Sequence, residues 1–115
     1  MTDIKVTKEQ FEALAALVGD KNTKPKRAAT YAERCRIYGL YKRATVGKLL
    51  PPFDNDDVDT DSRPSSRPGI LSIEARAKYD AWESCQEMSK EEAMNEYAKL
   101  AEDTVGQAAS DILKG

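Results

Sequence analysis

Two tyrosine rings and an ammonium group fall close together in the segment Tyr38-Gly39-Leu40-Tyr41-Lys42-Arg43-Ala44-Thr45-Val46-Gly47. Read as helix, Tyr38, Tyr41 and Lys42 stand at i, i+3 and i+4, on one face and one turn apart. Such a face offers flat rings for stacking, hydroxyls for hydrogen bonds and a cation for phosphate. A nucleotide carrying several phosphates requires that combination. The same pattern also fits a helix whose tyrosines pack inward while Lys42 and Arg43 are solvated. The segment alone leaves both readings open. Elsewhere, Lys78 and Tyr97 add a second cation and a third ring.

Catalytic chemistry finds little support. The chain has no histidine, which removes Ser-His-Asp and Cys-His catalysis and most zinc sites. Its two cysteines, Cys35 and Cys85, are far apart in sequence and have no neighbouring base. Two reduced, mostly buried thiols are expected. No glycine-rich phosphate loop of the dinucleotide or P-loop type occurs. Asp54, Asp56, Asp57, Asp59 and Asp61 suggest a calcium loop. A loop starting at Asp54 has Asp59 and Ser65 where an EF-hand needs Gly and Glu. We therefore expect no catalytic residue, no metal and no cofactor, with binding as the activity.

The elements that must position these residues read as helices. At 115 residues the chain is expected to form one domain. Segments rich in Ala, Glu, Lys and Leu favour an all-α fold. A net charge of -2 conceals an acidic stretch at 49–62, without which the remainder is mildly basic. That balance is too weak and dispersed to argue for nucleic acid. No 18-residue apolar run and no signal-peptide pattern is visible, so the expected location is cytoplasmic.

Thr7 to Gln10 forms a capping box for a first helix ending at Gly19, with Val6 and Phe11 as its staple. Phe11, Leu14, Ala15 and Val18 make its apolar stripe. Pro25 suits the first turn of a second helix, with a body from Lys26 to Ala44 and an end at Gly47. The stretch 48–68 has four prolines, the aspartate run and paired serines. It reads as a long acidic loop whose start is tacked down by Leu49, Leu50 and Phe53. Ser72 caps a third helix, Ile73 to about Gln86. Ser89 to Glu92 is a capping box for a fourth, whose stripe continues to Ile112 with Gly106 as a point to fray or bend. Residues 104–115 are expected to extend this last helix, beyond the domain body.

Four blocks then carry a resemblance. They are Tyr38 to Gly47, Arg67-Pro-Gly-Ile-Leu71, Ala77-Lys-Tyr-Asp-Ala-Trp82, and Ser89-Lys-Glu-Glu-Ala-Met94 with Tyr97. In this order they resemble the acyl-CoA-binding protein family over about residues 7–103. The resemblance implies a four-helix up-down-down-up bundle that binds medium- and long-chain fatty acyl-CoA thioesters non-covalently. It implies an intracellular carrier and pool former, monomeric, with transient contacts to membranes or to enzymes that use acyl-CoA. Tyr38, Tyr41, Lys42, Lys78 and Tyr97 match residues that contact the CoA head group or lie beside it, and Lys24 matches another lysine near the ligand. The family's acyl groove maps to Phe11, Leu14, Ala15, Arg34 and Cys35.

Three departures stand out. The segment between Gly47 and Arg67 is much longer than the family's. The segment from Pro25 to Tyr38 is also longer, and it places Arg34 and Cys35 where apolar residues are usual. Tyr79 replaces the family's first tryptophan. These departures leave an alternative, a helical protein-interaction module on the same fold with weakened ligand binding.

Overall fold

The computed structural model of the protein describes residues 5–55, 63–64 and 66–114. Five helices occur among them and no strand: α1 (Lys8–Gly19), α2 (Tyr31–Thr45), α3 (Ile73–Glu83), α4 (Lys90–Val105) and α5 (Gln107–Lys114). The first four form the up-down-down-up bundle. Phe11 of α1 meets Tyr97 of α4, while Val6 just before α1 donates its N–H to Asn95 Oδ1, so α1 and α4 run parallel. Arg43 near the end of α2 reaches Met88 just before α4, which makes α2 antiparallel to α4. Tyr38 lies against Lys78 and Gly39 against Ala81, so α2 and α3 run the same way.

Local sequence accounts for the helix starts. Thr7, Thr30 and Ser89 each accept a hydrogen bond from the N–H three residues on. Gln10, Glu33 and Glu92 in turn accept one from the cap's own N–H. The box Thr30-Tyr-Ala-Glu33 begins α2 at Tyr31, five residues later than the expected body at Lys26. Pro25 instead belongs to a strapped connection. Lys26 N–H donates to the Val105 carbonyl (3.0 Å) and Arg27 N–H to that of Thr104 (3.1 Å). These bonds satisfy carbonyls that the end of α4 leaves without helical partners. Arg27 fixes the strap further, binding Glu33 (2.6 Å) and Asp103 (2.5 Å).

The C-terminal segment is helical, but it breaks at Gly106 and folds back onto the body. Gly106 takes φ 92°, a left-handed conformation that ends α4. The chain then turns back, and α5 packs on α1 and α4 with Ala109 fully buried. Gln10 of α1 donates to the carbonyls of Ile112 and Leu113. Helix α3 stops at Glu83, short of Gln86, and hydrogen-bonded turns lead on to Met88.

The core joins Phe11 and Leu14 to Leu40, Cys85, Ala93, Tyr97 and Ala101, with α5 closing it. A smaller cluster gathers Leu49, Tyr79 and Trp82. It anchors the start of the long loop, where Gln86 also exchanges hydrogen bonds with the Leu50 N–H and carbonyl. Phe53 is less enclosed, lying beneath the Arg63 guanidinium at 4.3 Å. Asp54 belongs to this anchored part; Asp56, Asp57, Asp59 and Asp61 lie outside the described residues.

Candidate functional site

A cleft of about 710 Å³ lies between α1, α2, α3 and α4. From α1 it is bordered by Phe11, Glu12, Ala15, Ala16, Val18 and Gly19. Helix α2 contributes Arg34, Ile37, Tyr38, Tyr41 and Thr45, and α3 and α4 contribute Lys78 and Tyr97. The α2 set follows from helical periodicity, since steps of three and four keep residues on one face.

Three rings pack together at the cleft's floor. Phe11 stacks near Tyr41 with centroids 5.9 Å apart and meets Tyr97 edge-on at 5.1 Å. Phe11 and Tyr97 are buried, while Tyr41 is 41% exposed. Burial, together with the neighbouring Tyr41, pushes the Tyr97 hydroxyl up to about 12. It therefore stays a neutral donor and acceptor at physiological pH.

The charged part of the site lies around Tyr38. Lys42 Nζ is 5.8 Å from the Tyr38 ring centroid and 5.6 Å from that of Trp82. Lys78 Nζ is 5.3 Å from the same Tyr38 ring. Two ammonium groups thus converge on one aromatic ring from different helices. Lys78 also meets Glu74 at 3.2 Å, an exposed pair that water screens. A polyphosphate could draw both lysines without breaking anything buried.

Trp82 supports this arrangement, and its role was not legible in the sequence. Its ring is buried, and Nε1 donates to the Gly47 carbonyl at 2.8 Å. That bond ties α3 to the end of α2 and sets the ring beneath Lys42. Only the contact between helices distinguishes this tryptophan from an ordinary core residue.

Several expected positions fall elsewhere. Leu14 is fully buried in the core and does not border the cleft. It lies 100° round α1 from Ala15, which does. Cys35 is a half-buried free thiol outside the cleft lining, beside Tyr31. Its neighbour Arg34 takes the groove position instead. Lys24 is exposed in the α1–α2 connection and borders no part of the cleft. Arg43, which one of the two readings of its segment places in water, is 1% exposed. Its Nε donates to the Met88 carbonyl (2.7 Å) and Nη2 to Asp54 (2.6 Å), so it joins α2, the α4 entry and the long loop. Ile37 and Thr45 line the cleft although neither was expected there.

The comparison with known proteins is decisive for the family. The profile of the family described as Acyl CoA binding protein matches residues 8–101, most of the chain. The protein belongs to the acyl-CoA-binding protein family. Acyl-CoA-binding domain-containing protein 6 of Arabidopsis thaliana is 37% identical over 103 residues, covering 90% of this chain and 92% of that protein. Acyl-CoA-binding domain-containing protein 3 of Oryza sativa is 38% identical over 102 residues, but the chain spans only 54% of its length. The crystal structure of Oryza sativa acyl-CoA-binding protein 2 superposes with a TM-score of 0.63 at 31% identity, over 89% of this chain and 93% of that one.

Proposed function

We propose that the protein binds medium- and long-chain fatty acyl-CoA thioesters non-covalently, as a cytoplasmic carrier and pool former. The observation that carries this reading is the convergence of Lys42 and Lys78 on Tyr38 beside an apolar-walled cleft. A CoA thioester has the matching halves, an anionic nucleotide and a hydrocarbon tail. The phosphates go to the two ammonium groups and the adenine to the aromatic surface of the half-buried Tyr38 and the exposed Tyr41. Stacking there contributes on the order of 1–3 kcal/mol. The acyl chain runs over Phe11, Ala15 and Ile37, where each buried methylene contributes about 0.8 kcal/mol. Ten methylenes give about 8 kcal/mol before association costs, so the tail dominates affinity and the head-group residues set specificity for CoA. Lys24 stands apart from the cleft and takes no direct part in this reading.

Calorimetric titration with dodecanoyl-CoA, free CoA and dodecanoate, followed by an assay for released thiol, tests the proposal. Tight binding of the thioester is expected, with much weaker binding of either half and no thiol release. Equal, weak responses to all three would overturn it, and released thiol would replace it with a hydrolase.

A further inference from the structure

A second cavity, of about 360 Å³, adjoins the cleft. Val18, Arg34 and Ile37 border both spaces and stand between them. Its far wall comes from the strapped connection, Pro25 to Ala29, and from Thr104 and Val105 at the end of α4. That wall is fixed rather than adaptable, because the Lys26 and Arg27 N–H groups are bonded to the α4 carbonyls.

The polar groups bordering this cavity have partners within the protein: Asp20 Oδ1, at the exposed end of α1, accepts from the Asn22 N–H (2.9 Å). Thr23 Oγ1 donates to the Leu17 carbonyl (2.7 Å) and Thr104 Oγ1 to that of Leu100 (2.9 Å). Arg27 is held by Glu33 and Asp103. Arg34 Nη1 donates to the Ala29 carbonyl (2.9 Å), and its guanidinium lies 5.9 Å from the Tyr31 ring centroid. The guanidinium of Arg34 is thus held at the connection and the first turn of α2. A polar chain end entering here would lose its water and meet partners that are already occupied. A hydrocarbon end would lose nothing.

We propose that this cavity receives the far end of an unsubstituted acyl chain and sets the longest chain that gains affinity. The inference rests on the acyl-CoA reading of the main cleft. It also gives the long α1–α2 connection a purpose, as the end wall that selects chain length.

The test is a series of CoA thioesters from butanoyl to icosanoyl, titrated against the native protein, Ala29→Trp and Ala29→Leu. Ala29 borders the second cavity and not the main cleft. Native affinity is expected to rise about fourfold per methylene until the cavity is full, and then to level off. Ala29→Trp should level off at a shorter chain and Ala29→Leu in between, with the shortest thioesters bound as by native protein. Ala29→Leu carries the test should the tryptophan disturb folding, as judged by thermal unfolding. Levelling at one common chain length in all folded variants overturns the inference while leaving the acyl-CoA reading intact. An ω-hydroxy thioester that binds as tightly as its unsubstituted counterpart at the native plateau overturns the apolar assignment. Absence of binding to every thioester by native protein removes both readings.

Discussion

Lys42 shows how one side chain acquires its role from its surroundings. Its ammonium lies over two aromatic rings, Tyr38 and Trp82, and solvent still reaches it. A charge-assisted hydrogen bond is typically worth about 1.5–3 kcal/mol. Lys42→Ala is therefore expected to weaken acyl-CoA binding about ten- to a hundredfold in calorimetry, with the melting temperature nearly unchanged. Unaltered affinity would remove Lys42 from the site. Trp82 should behave in the opposite way. Trp82→Phe keeps most of the ring but deletes the donor to the buried Gly47 carbonyl, at a cost of about 1–3 kcal/mol of stability. Urea unfolding measures that loss directly, and an unshifted midpoint would show that the bond contributes nothing.

The contact between α2 and α3 positions both lysines, and Gly39 permits it. A Cβ there would collide with the Ala81 carbonyl oxygen and lie 2.9 Å from the Trp82 nitrogen. Replacing glycine by alanine within a helix usually stabilises by about 0.5–1 kcal/mol. Here the added atom meets backbone, which cannot swing aside, and overpacking costs about 1–3 kcal/mol or more. The clash decides the sign. Gly39→Ala is expected to lower stability in urea and to weaken binding together, since the separation of Tyr38 from Lys78 changes. A more stable variant would contradict this packing. Arg43 is the other joint between elements. Arg43→Ala removes its bonds to Met88 and Asp54 and leaves a cavity, at about 2–4 kcal/mol. Arg43→Met fills the space and should lose less. Equal losses would show that charge rather than volume matters there.

For the molecule as a whole, paired carboxylates set the acid limit. The Arg27 guanidinium, followed by the Thr30 N–H, holds the Glu33 carboxyl at about 2. Arg43 lowers Asp54, and Arg67 lowers Asp80. Carboxylates in the unfolded chain titrate near 4, so between those values the unfolded state binds more protons. The stabilisation from these pairs is present above the unfolded value and is lost as pH falls below it, down to about 2 for Glu33. Tyr97 acts at the other end. Its raised value makes the unfolded state lose its proton first, so stability falls as pH rises from about 10 toward 12. Thermal unfolding from pH 2 to pH 12 should show both edges. The acid edge should move to higher pH in Arg27→Ala, and an unmoved edge would exclude the Arg27 pairs as its cause.

The sequence by itself determined the class, three helix starts and most of the residues that meet at the cleft. Capping boxes and helical periodicity are local, and they need only a few neighbouring residues to act. The same local signal was present at Thr30 and Glu33, yet Pro25 competes with it as a helix start. The competition was settled by the far end of the chain, where Thr104 and Val105 accept hydrogen bonds from the connection. Tertiary structure alone decided that Leu14 is core while Ala15 borders the cleft, and that Arg43 is buried. It also decided that α5 returns to the body and that a second cavity lies behind Ile37 and Arg34. Each of these depends on which surfaces of separate helices meet. Adjacent residues on a helix differ by 100° in direction, so periodicity names the faces without saying what each face will touch.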